Sequence, residues 1–145
     1  MYVPANMKIA KVTDGFVWLS DNTSDSRECL CIYNVPSKRV NIKDMQSVTA
    51  VRDSVMQQHI KGAADSMKFQ IVEGSERAVC KNDTVIIKNM WEMNGDAMGG
   101  AAVCRIIDNG DHITFAEAFL YSPATNKRNK MRRAEACLFT IKTEK

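Results

Sequence analysis

The chain has 145 residues, 45% hydrophobic and 26% charged, with a formal net charge of +3. That length suits one domain able to bury roughly 70% of its unfolded surface without disulfide staples, and that composition excludes a disordered chain. So small a charge gives no argument for a nucleic-acid partner, and no apolar run reaches the roughly 18 residues of a transmembrane helix.

The opening residues Met1 to Lys8 lack the basic-then-apolar layout of a secretion signal. Either the protein is cytoplasmic, or a targeting segment lies outside this chain. Met7 to Val12 alternates as a strand, Asp14-Gly15 gives a hairpin signal, and Phe16 to Leu19 is rich in strand formers. After a polar stretch from Asp21 to Glu28, Cys29 to Val35 forms a third strand, ended by Pro36, which cannot continue a ladder. Asp44 caps a helix in which Met45, Val48, Val51, Val55 and His59 recur at spacings of three and four. Gly62 supplies its left-handed stop. Arg52 lies inside that apolar stripe rather than opposite it.

Strand patterns then return. Met67 to Val72 is short, and Thr84 to Met93 places Val85, Ile87, Trp91 and Met93 on one face. Asn94-Gly95-Asp96 turns the chain into Ala101 to Ile107. Asn109-Gly110 makes another hairpin, and Ile113 to Tyr121 puts Ile113, Phe115, Glu117 and Phe119 on one face. Glu117 is a charge in an apolar row. Beyond Pro123, Met131, Ala134, Cys137, Leu138 and Ile141 share a helical stripe, although 137–143 also reads as a strand. The expected fold is a single α+β domain over 1–145: an antiparallel sheet of five to seven strands with two amphipathic helices packed on it.

Three stretches carry a resemblance. The first is Ile32-Tyr33-Asn34-Val35-Pro36 with Val51-Arg52-Asp53-Ser54-Val55-Met56 and Ile60-Lys61-Gly62. The second is Met90-Trp91-Glu92-Met93 with Asp96-Ala97-Met98-Gly99-Gly100, and the third is Tyr121-Ser122-Pro123 with Lys127-Arg128 and the closing helix. Together, over roughly residues 30 to 142, they resemble the domain of unknown function number forty-eight thirty-seven, a Bacteroidetes set of uncharacterised predicted lipoproteins. The resemblance implies the C-terminal part of a longer, lipid-anchored cell-envelope protein, and it implies no reaction.

Chemistry-bearing constellations are sparse. His59 and His112 have no ligand spacing between them, so no metal site is expected. Cys29, Cys31, Cys80, Cys104 and Cys137 sit in apolar runs without a CxxC, so they read as core residues rather than nucleophiles or a disulfide framework. Gly99-Gly100 lacks a phosphate-loop context and reads as a turn or bulge where backbone must pass closely, with an anion-holding nest as its functional version. Lys127, Arg128, Lys130, Arg132 and Arg133 form a cationic run whose default is a solvated face. Its functional version is a contact with an acidic protein or an anionic surface, and it lacks the interleaved aromatics of a nucleic-acid binder. Arg52 and Glu117 are expected to meet as a charge pair at the helix–sheet junction.

These residues point to a non-catalytic binding or structural domain with no cofactor and no catalytic residues. The alternative is an enzyme or small-ligand receptor with a site near Arg52, Trp91 and Glu117. The candidate binding residues are Arg52, Trp91, Glu92, Gly99, Gly100, Glu117, Lys127, Arg128 and Arg132.

Overall fold

In the computed structural model, residues 8–13, 15–20, 27–59, 68–72, 74–81, 84–94, 99–121 and 127–140 are described. Alternating apolar and polar residues form eight strands. These are β1 (Lys8–Thr13), β2 (Phe16–Ser20), β3 (Arg27–Pro36), β4 (Lys68–Ile71), β5 (Arg77–Lys81), β6 (Thr84–Asn94), β7 (Gly99–Asp108) and β8 (His112–Tyr121). Between β3 and β4 stands α1 (Met45–His59), where the Gln46 N–H donates to the Asp44 carboxylate at 3.1 Å, so Asp44 does cap this helix. The last helical stretch is α2 (Lys127–Phe139).

All pairings are antiparallel, in the order β1-β2-β3-β8-β7-β6-β4. The turns into β2 and β8 hold Gly15 and Gly110 at φ of 80° and 94°, a conformation that glycine takes without steric cost. β5 leaves the linear order and shares β6 with β4: it pairs along Thr84 to Lys88, while β4 pairs along Trp91 to Asn94.

The expected class is overturned. Strands take 57% of the described residues, and they curl into a half-barrel served by one main helix, α1, rather than a flatter sheet carrying two amphipathic helices. The sheet has eight strands, not five to seven. The extra one is β5, a short Ala78-Val79-Cys80 run between two charges, Arg77 and Lys81, which carries little alternation. In α2 the described side chains that pack on the sheet are Cys137 and Leu138, while those of Met131 and Ala134 lie outside the described residues. The helical turns run through Phe139, which settles Cys137 to Phe139 as helix, while 141–143 lie outside the described residues, as do Gly62, Gly95, Asp96 and Pro123.

Both faces of the sheet are buried. Toward α1 point Tyr33, Val35, Ile87, Trp91, Cys104, Ile106, Phe115 and Phe119, packed with Val48, Val51 and Met56 of the helix. Toward α2 point Leu30, Ile86, Val103, Ala116 and Ala118. This split follows from the two-residue side-chain period of a strand. It also explains why β7 and β8 read as nearly continuous apolar runs.

Candidate functional site

Three places bring the singled-out residues together. The first lies under α1. Arg52 is 0% exposed and Glu117 1% exposed, because the helix stripe carrying Arg52 faces the apolar row carrying Glu117. The two meet: Arg52 Nε and Nη2 donate to Glu117 Oε1 at 3.0 and 2.7 Å. Arg52 Nη2 also donates to Asn89 Oδ1 at 2.9 Å, and the Tyr33 hydroxyl donates to Glu117 Oε2. Arg52 Nη1 is buried and has no hydrogen-bond partner among the described residues.

Electrostatics fixes the protonation of this cluster. Burial alone would lower the Arg52 pKa, but the Glu117 carboxylate beside it outweighs burial and holds it above its ordinary value, so Arg52 stays cationic. Burial, and then the charge of Glu117, raise the Tyr33 hydroxyl, which stays a donor. Across the sheet Glu117 lies opposite Cys31 of β3 and Cys104 of β7. Burial pushes both thiols up, the charge of Glu117 adding in each case while that of Arg52 opposes at Cys104. Neither is a thiolate nucleophile at neutral pH. Cys29 and Cys137 are also buried, and the side chain of Cys80 lies outside the described residues. The cluster is thus a closed, internally paired set of charges.

The second place is the Trp91 corner. Trp91 stacks on Phe69 and meets Phe119 edge-on, and its indole N–H donates to the Leu120 carbonyl at 3.0 Å. Gly99 and Gly100 belong to β7 and pair with Glu92 and Trp91. A Cβ on Gly100 would stand 2.0 Å from the Leu120 oxygen, and one on Gly99 would stand 2.7 Å from the Trp91 oxygen. Both glycines therefore permit the close backbone passage expected of them, but within the regular ladder of β7 rather than in a turn or bulge. Glu92 points away from this corner and accepts from the Gln70 side-chain amide.

The third place lies on the α2 face. Here the connection from β4 to β5, strand β6 and α2 enclose a cleft of about 490 Å³, walled by Ser75, Arg77, Lys88, Met90, Arg132 and Glu135 over Ala101. Lys88 Nζ lies 3.4 Å from Glu135. Arg133, next in the cationic run, pairs with the buried Glu28 instead. Of the predicted run, Arg132 thus lines the cleft, while the side chains of Lys127 and Arg128 lie outside the described residues.

Neither histidine joins any of these places. His59 ends α1 and stacks on Phe16 with ring centroids 4.0 Å apart, and His112 is paired with Asp111 at 2.7 Å. Among the described residues, no three His, Cys, Asp or Glu side chains gather as a metal site. Sequence reasoning missed Tyr33 and Asn89 in the buried cluster, and Ser75, Arg77, Lys88 and Glu135 in the cleft. Asn89 did leave a signal: it is the polar gap in the apolar row Val85, Ile87, Trp91, Met93.

The family model described as "Domain of unknown function (DUF4837)" matches residues 1–140. No curated protein matches the sequence.

Proposed function

The chain belongs to the DUF4837 family, and from that premise we propose that it is a non-catalytic binding or structural domain of a lipid-anchored cell-envelope protein. The observation that supports the non-catalytic part is the closure of the Arg52–Glu117 cluster. Both charges are shielded from solvent by α1, and three hydrogen bonds from Arg52 and Tyr33 end on the one carboxylate. Such a carboxylate is committed to its partners rather than available to a substrate. Removing it would first cost the fold. The envelope location is supported by the lipoprotein resemblance of the Ile32–Pro36, Trp91–Gly100 and Tyr121–Arg128 stretches.

Each part has its own test. For catalysis, the purified protein is assayed with chromogenic ester, phosphate, glycoside and peptide substrates, and no turnover above background is expected. Turnover that disappears in Glu117→Gln, with the circular-dichroism spectrum unchanged, refutes the non-catalytic reading. For location, the full-length gene product is labelled in cells with an alkynyl fatty acid. Label on a cysteine upstream of this domain is expected, and an unlabelled, soluble product rules out the anchor.

A further inference from the structure

We propose that the cleft on the α2 face is a binding site for a phosphate group carried on an apolar stem. The proposal rests on the non-catalytic reading above and names the ligand chemistry for it. Arg77 of β5 and Lys88 of β6 are direct cross-strand partners, and like charges directly opposite one another destabilise a sheet. Arg132 of α2 brings a third cation to the same cleft.

Among the described residues a single carboxylate answers these three cations. Glu135 lies one helical turn from Arg132 and within 3.4 Å of Lys88. Arg77 donates through Nη1 to the carbonyls of Gly74 and Glu76 at 3.2 and 2.8 Å, and this anchors the guanidinium while its remaining donors meet no acceptor among the described residues. Arg132 makes no ion pair or hydrogen bond among the described residues. A dianion placed between Arg77 and Arg132 relieves the repulsion and takes up donors that the fold leaves idle.

Size and lining set the rest of the ligand. At about 490 Å³ the cleft is much larger than a phosphate ion and falls within the range of small-molecule sites. Its floor and one wall are apolar, formed by Ala101 and by Met90, which is 45% exposed. The Ser75 hydroxyl is spent inside the wall, donating to the Val72 carbonyl at 2.6 Å and accepting from the Met90 N–H at 3.0 Å, so it braces the cleft rather than facing a ligand. Cations at one end and methyl and thioether groups along the side fit an alkyl phosphate ester.

The test is a titration of the whole protein with hexyl phosphate, followed by amide ¹H–¹⁵N chemical shifts. The amides of Met90, Ala101 and Glu135 are expected to move together. Binding should weaken as salt rises and the Debye length falls toward about 3 Å. Arg132→Glu and Arg77→Glu, both at exposed positions, are each expected to weaken it about tenfold or more, the loss of one charge-assisted bond. Glu135→Gln is expected to tighten it several-fold.

Inorganic phosphate should bind more weakly than hexyl phosphate. Sedimentation with phosphatidic acid–phosphatidylcholine vesicles, lost in Arg132→Glu and absent with pure phosphatidylcholine, identifies the source as a lipid headgroup. Hexyl phosphate binding without vesicle binding identifies a soluble ester. A folded wild-type protein whose cleft amides do not respond, or respond equally in Arg132→Glu and Arg77→Glu, overturns the site and leaves the non-catalytic reading standing. Hydrolysis of the bound ester refutes that reading and keeps the site.

Discussion

Replacing Glu117 by leucine is the sharpest test of how this fold is held. The substitution keeps an apolar side chain of similar reach in the row Ile113, Phe115, Phe119, but it strips Arg52 of two hydrogen bonds and Tyr33 of one. At about 1.5–3 kcal/mol for each bond to a charged group, the simple sum is about 5–9 kcal/mol. Relaxation around the gap and the burial of leucine offset part of it, and broken buried pairs typically cost about 3–5 kcal/mol. Against a total of about 5–15 kcal/mol for a domain, that is about a fifth of the stability or more.

Arg52→Met is expected to cost a similar amount by stranding the carboxylate. The double variant Arg52→Met/Glu117→Leu strands neither charge, and it is expected to return to within about 2 kcal/mol of the wild type. Urea unfolding followed by far-ultraviolet circular dichroism measures all four proteins in one cycle. Single variants costing less than about 1 kcal/mol, or a double variant costing the sum of both singles, would refute the claim that the pair is a sealed, mutually dependent unit.

Gly100→Ala is expected to lower stability by about 1–3 kcal/mol or more, because the 2.0 Å conflict is with the Leu120 backbone oxygen and no rotamer can relieve it. An unchanged thermal midpoint would contradict that close passage. Alkaline pH should also destabilise the protein. Cys31, Cys104 and Tyr33 all have pKa values raised in the folded state, so each favours folding fully below its unfolded value and loses that contribution as pH rises beyond it. The urea midpoint should therefore be flat up to about pH 8 and fall above it, the tyrosine adding its share above about pH 10. A midpoint that rises between about pH 9 and 11 would reverse the sign of the argument.

Much of the sheet can be read from local pattern. The hairpins at Gly15 and Gly110 announce themselves by turn chemistry, and the face of β8 that carries Glu117 is visible as alternation. Arg52 and Glu117 stand out because each breaks an apolar row, and two misfits on facing rows can only be accommodated by each other. What escapes is non-local. β5 is a strand because the first half of β6 offers it an edge beyond the reach of β4, a fact about pairing and not about the residues Arg77 to Lys81. Tyr33 looked like one more aromatic in a strand, since nothing near it in the chain shows that Glu117 is within reach of its hydroxyl. The cleft draws on β5, β6 and α2 together, so no window of sequence contains it.

The pairing of β3 with β8 has a consequence for how the molecule is made. Residues Arg27 to Pro36 find their partners in Tyr121 to His112, so the middle of the sheet cannot zip until the chain through Tyr121 is present. Until then Leu30, Cys31 and Tyr33 have greasy sides and an open ladder to offer any passing chain. Such long-range closure slows folding. Until β8 docks, β3 is therefore the stretch of this sheet with most to gain from being kept apart from other chains.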